Sequence, residues 1–111
     1  MEREEASHRK LIMNDFDRII HDKTPVLVNC LSLGCSHCRP VTEILKEVKA
    51  QLGMSVRIVK VDIDENPAFT QKWHVQGVPM LILFKEGKMV WRHAGALPTS
   101  TLVEKIKPHI I

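Results

Sequence analysis

No run of about 18 apolar residues occurs anywhere in the chain, so no segment is expected to cross a membrane as a helix. The opening residues, Met1-Glu2-Arg3-Glu4-Glu5, are charged and lack the apolar centre of a secretion signal. A chain of this kind is expected in the cytoplasm; a periplasmic or secreted location would require a leader already removed. Cysteine is scarce: the three among 111 residues form one close pair with one left over, which cannot make the disulfide framework of a small secreted domain. Aromatic residues are 5% of the chain, and its 16 basic and 13 acidic residues are dispersed. There is thus no basic, aromatic stripe of the sort that binds nucleic acid. Neither nucleic acid nor membrane is expected as a partner. Internal repeats, low-complexity segments and Pro/Gly-rich linkers are also missing. The length suits one domain, read as 1–111, with residues 1–8 a charged N-terminal extension expected to be flexible.

What is present alternates in type. Hydrophobic residues are 44% of the chain, enough for a packed core. Arg9 to Met13 reads as a short first strand. Asn14 reads as the N-cap of a helix carrying Phe16, Ile19 and Ile20 on one side. The near-continuous apolar run from Val26 to Leu31 reads as a central strand covered on both faces. Val41, Ile44, Leu45, Val48 and Leu52 then follow the spacing of one helical face, with Gly53 placed to end it. Val56 to Val61 is a second β-branched strand. Pro67 opens a helix on which Phe69 and Trp73 lie four apart. Met80 to Phe84 and Met89 to His93 form a hairpin around a turn containing Gly87. Thr99 or Ser100 caps a last helix that ends near Pro108. Strands separated by helices imply parallel pairing through right-handed crossovers, and the hairpin adds an antiparallel pair. The expected class is α/β, three layers α/β/α around a central mixed five-stranded sheet.

Cys35-Ser36-His37-Cys38 carries the chemistry. Two cysteines at i and i+3 can close a disulfide across the first turn of a helix, where the dipole and free backbone N–H groups favour a thiolate. A CxxC pair at a strand-to-helix junction points to redox exchange. A structural zinc pair is the distant alternative, because zinc needs about four N/S ligands and no second CxxC or HxxxH follows. Cys30, alone in the apolar strand, reads as an inert core residue.

The ordered set Asn14-Asp15-Phe16-Asp17, Val26-Leu27-Val28, Cys35/Cys38, Lys60-Val61-Asp62-Ile63-Asp64, Asn66-Pro67, Gly77-Val78-Pro79, Leu83-Phe84-Lys85-Glu86-Gly87-Lys88 and Gly95-Ala96-Leu97 resembles the thioredoxin family from about Asn14 to Ile110. The resemblance implies the thioredoxin fold, dithiol–disulfide exchange with other proteins, and a cis peptide at Val78-Pro79. It implies Cys35 as nucleophile and Cys38 as the buried resolving thiol. It also implies a flat apolar substrate rim made by Gly34, Ile63, Gly77, Val78, Pro79, Gly95 and Ala96, in which the Val78 backbone pairs with an extended segment. No cofactor is implied beyond the redox-active pair itself.

The departures from the family pattern concern tuning. The usual Gly-Pro between the cysteines is Ser36-His37, and a cationic His37 would favour the thiolate. Asn29 stands where the family carries a buried acid, which leaves Lys60 without that ion partner. Leu31 takes the place of a Trp, and Glu43 takes the place of the Pro that kinks the active-site helix, with Pro40 earlier. The expectation is a monomeric thiol–disulfide oxidoreductase, more oxidising than ordinary thioredoxin, acting on protein disulfides or dithiols with a thiol electron donor or acceptor. The alternative is a thioredoxin-fold protein-binding module with vestigial redox activity.

Overall fold

Alternation of apolar strands and one-sided helices builds the whole of Met13–Ile110, the residues that this computed structural model describes. In chain order the elements are α1 (Met13–Ile20), β1 (Val26–Leu31), α2 (Cys38–Leu52), β2 (Arg57–Asp62), α3 (Pro67–Lys72), β3 (Met80–Lys85), β4 (Lys88–Ala94) and α4 (Thr99–Ile106). Single 3-10 turns follow α2 at Gly53–Ser55 and α4 at Lys107–His109.

The sheet order is β2-β1-β3-β4. β1 pairs parallel with β2, setting Asn29 beside Lys60, and antiparallel with β3, setting Cys30 beside Met80. β3 and β4 are antiparallel, with an irregularity at Leu83/Phe84. These directions bring the C-terminal ends of β1, β2 and β4 and the start of β3 to one end of the sheet. Among the described residues there are four strands, where five were expected. Residues 9–12 of the expected first strand, and the N-terminal extension, lie outside the described residues. Met13 belongs to α1, since a short apolar run fits strand and helix periods equally well. Asn14 therefore sits inside α1, one residue beyond its start, and does not cap it.

Both faces of the sheet are covered. Val26, Val28 and Cys30 of β1 face Phe16 and Ile20 of α1 and Phe69 of α3. Leu27 faces the other way, toward Val41, Leu45 and Val48 of α2 and Leu102 and Ile106 of α4. The first layer is aromatic: Phe16 meets Phe69 and Phe84 edge-on at 4.7 and 5.6 Å, and Trp73 meets Phe84 at 4.8 Å. Such edge-to-face pairs add to simple burial. The β3–β4 turn docks on the end of α1, where the Gly87 N–H donates to the Ile20 carbonyl at 2.8 Å. Gly87 has φ +86°, and a Cβ there would run into the His21 ring, so this position needs glycine.

Of two other expected boundaries, one holds and one moves. Gly53 ends α2 as expected, with φ 56° and its N–H on the Lys49 carbonyl. α4 starts at Thr99 itself with Pro98 as its cap residue, so neither Thr99 nor Ser100 is the cap. The Pro98 carbonyl accepts the Leu102 N–H at 3.1 Å, which starts the helix without a hydroxyl.

Candidate redox site

β1 ends at Leu31 and α2 begins at Cys38, so the chain must turn between them. It does so in two successive turns. The Cys35 N–H donates to the Ser32 carbonyl at 3.3 Å, and the Cys38 N–H donates to the Cys35 carbonyl at 3.2 Å. Gly34 supplies the positive φ, +81°, that joins them. Cys35 and Cys38 are bonded as a disulfide with Cα atoms 5.4 Å apart. Cys38, not Cys35, is the first residue of α2; Cys35 lies in the turn just ahead of it. The cap residue His37 makes no side-chain bond to the helix, and the first turn holds no acid. The positive end of the α2 dipole therefore faces the sulfurs without a competing carboxylate. Pro40, third in the helix, costs no hydrogen bond because the first four N–H groups have no intrahelical acceptor.

Exposure separates the two sulfurs. Cys35 is half-buried, while Cys38 is 6% exposed. A partner disulfide arriving from solvent meets Cys35 first. Ser36, His37 and Arg39 are exposed around it. Leu33, two residues before Cys35, is 86% exposed. The sequence assigns Leu33 no role, and no spacing signal marks it as a surface residue.

The rim residues converge on this end of the sheet. The Ile63 N–H donates to the Leu31 carbonyl at 2.9 Å, and the Ile63 carbonyl accepts the Thr70 hydroxyl at 3.1 Å. The Gly95 N–H donates to the Pro79 carbonyl at 2.9 Å. Val78-Pro79 is cis. Pro79 is buried, Val78, Ile63 and Gly95 are half-buried, and Gly34, Gly77 and Ala96 are exposed. Glu43 is a surface residue paired with Lys46 at 3.3 Å, and α2 runs through it as one element.

β1 also carries two groups that an apolar strand tolerates poorly. Cys30 is fully buried, and burial pushes its thiol up to about 12, offset in part by the Arg92 charge. It stays a neutral thiol at any ordinary pH. Asn29 is fully buried as well, and neither atom of its carboxamide has a hydrogen-bond partner among the described residues. Lys60 is its half-buried neighbour in register, and a neutral amide offers that ammonium no ion pair. An unpaired buried amide costs about 1–3 kcal/mol. No three of His, Cys, Asp and Glu gather as a metal site among the described residues, and no described helix is long and apolar enough to cross a membrane.

A disulfide bridging an exposed turn and the buried start of a helix, at the end of a mixed sheet and beside a cis-proline segment, defines a thioredoxin-fold redox centre. The thioredoxin family model matches residues 7–108. The chain belongs to the thioredoxin family, a family of thiol–disulfide oxidoreductases. It is 36% identical over 100 residues to thioredoxin Y2, a chloroplastic protein of Arabidopsis thaliana; the match covers 89% of this chain and 60% of that protein. It is 33% identical over 92 residues to thioredoxin 1 of Synechococcus elongatus, covering 83% of this chain and 86% of that one. A mutant thioredoxin from Halobacterium salinarum superposes with TM-score 0.80 at 26% identity, covering 88% and 85% of the two chains.

Access and burial together order the thiols of the reduced protein. With iodoacetamide at about pH 8, Cys35 is expected to react first, below the ordinary thiol pKa of ~8.5. Cys30 is expected to stay unmodified until the chain unfolds. Peptide mass mapping of a time course reads this out, and faster labelling of Cys38 or Cys30 would reverse the assignment.

Proposed function

We propose that the chain exchanges its Cys35–Cys38 pair with disulfides and dithiols of protein substrates. The observation that supports this best is the asymmetry of the pair, one sulfur accessible in a turn and the other buried at the start of α2. In the reducing direction, the Cys35 thiolate attacks a substrate sulfur and displaces the other as a thiolate, leaving a mixed disulfide. The Cys38 thiolate then attacks the Cys35 sulfur, reforms the intrachain disulfide, and releases the second substrate sulfur. Two electrons pass to the substrate, and a thiol donor must restore the pair. The Val78 backbone and the surrounding rim are proposed to hold the substrate segment as an added strand. A cytoplasmic monomer is the proposed setting. Turnover of insulin reduction with dithiothreitol as donor tests the reading. An intact disulfide without turnover would favour the alternative, a binding module that keeps the fold alone.

Ser36-His37 is proposed to make the couple more oxidising than ordinary thioredoxin. An imidazole beside the sulfurs would, where protonated, stabilise the thiolate and hence the reduced form. The potential is expected above roughly −270 mV and short of roughly −120 mV. Equilibration with glutathione buffers measures it, and His37→Pro is expected to lower it. A value at or below the thioredoxin level would remove the tuning role.

Asn29 leaves Cys38 without the buried base that the family supplies. An amide takes no proton at neutral pH, so resolution of a mixed disulfide is expected to be slow near neutrality and to speed up as pH rises. Asn29→Asp is expected to recover part of the rate, because a buried carboxylate of raised pKa accepts the proton. It is also expected to cost stability through lost hydration. Stopped-flow decay of a Cys35-linked mixed disulfide, from about pH 6 to about pH 9, compares the two proteins. Superimposable rate profiles would exclude proton transfer at this position from the rate-limiting step.

A further inference from the structure

α3 ends in an unusual way. The Val75 N–H reaches back to the Thr70 carbonyl at 2.9 Å, and His74 sits at φ 55°, the left-handed position where glycine is the usual residue. A residue with a Cβ stays there only when its surroundings hold it. The holding group comes from β4. Arg92 donates through Nη1 to the Trp73 carbonyl at 2.7 Å and through Nη2 to the His74 carbonyl at 3.1 Å. It neutralises the negative end of the α3 dipole with a planar fork that matches two successive carbonyls. Its Nη2 also lies 3.7 Å from the Met80 sulfur, just past Pro79.

The consequence lies in Gly77-Val78-Pro79. This segment leaves α3 at the residues that Arg92 grips and enters β3 where Gly95 bonds the Pro79 carbonyl. Both anchors belong to β4 or to the residue directly after it. From Val75 to Val78, no other backbone hydrogen bond beyond that of Val75 fixes the path among the described residues. We propose that Arg92 is a positioning residue for substrate pairing: it sets the Val78 backbone in the register that a substrate strand needs and acts through the backbone rather than on Cys35 or Cys38. The inference rests on the exchange reading given under Proposed function.

The test compares wild type, Arg92→Gln and Arg92→Lys. Each is assayed with insulin and with dithiobis-nitrobenzoate, a small disulfide that needs no strand pairing. For Arg92→Gln the KM for insulin is expected to rise roughly five- to tenfold, as the loss of one charged hydrogen bond would produce, with kcat within about twofold. The rate with the small disulfide and the glutathione-measured potential are expected to be unchanged. Arg92→Lys, which keeps the charge and loses the fork, is expected to lie between the two. An unchanged KM for insulin, or an equal loss with both substrates, would overturn the proposal. So would loss of the folded far-UV signal in both variants, because Arg92 would then be a determinant of the fold itself. A wild type that turns over the small disulfide and not insulin would overturn the exchange reading instead, independently of either variant.

Discussion

Everything at the redox end depends on β1 being paired on both edges and covered on both faces. Its register with β2 and β3 fixes where Leu31 stops, and the stop fixes where the Cys35 turn begins. Because side chains alternate along a strand, slipping β1 by one residue would exchange Cys30 and Asn29 between the two covered layers. The bond from the Ile63 N–H to the Leu31 carbonyl carries the same register one step past the strand, into the rim. The sulfurs, the Ile63 segment and Pro79 therefore share one frame of reference.

That frame comes at a local energetic cost. A strand with no exposed face gains most from an unbroken apolar sequence, yet β1 contains a carboxamide with no partner among the described residues. Cys30, on the opposite face of the strand, costs nothing comparable, since a neutral thiol is a small apolar group. Packing alone would favour an apolar residue at position 29, as at 27 and 28. The buried amide lies on the α2 face of the sheet and is a local inconsistency in an otherwise apolar strand.

Much of the fold was legible because it rests on short-range pattern. The i, i+3, i+4 spacing of Val41, Leu45 and Val48 and the two-faced run of β1 identify their elements directly. The turn residues Gly53 and Gly87 serve as the sequence implies. The expected first strand ran from Arg9 to Met13, of which Met13 alone is described, and it lies in α1. The cysteine pair and Pro79 were legible from a motif whose parts stand in a fixed order. Leu33 and Arg92 were not. The exposure of Leu33 depends on how sharply the Cys35 turn leaves the sheet. The reach of Arg92 to Trp73 spans 19 residues of sequence and requires knowing that β4 lies at the sheet edge beside the end of α3. No spacing rule encodes such a contact.

The surroundings of the two sulfurs divide the proton traffic that disulfide exchange requires. Cys35 opens to solvent, with Ser36 and His37 exposed beside it, so water can take and return its proton. Cys38 is buried at the head of α2, over a layer whose nearest polar member in β1 is a neutral amide. The helix dipole lowers the cost of a thiolate at either sulfur but accepts no proton. On the proposed chemistry, forming the mixed disulfide and resolving it are therefore limited by different things: the first by encounter at the rim, the second by deprotonation of a buried thiol. A residue that acts on the rim alone and one that acts on the buried thiol alone should then affect separate steps, and their effects should add in free energy, since neither shares a partner with the other.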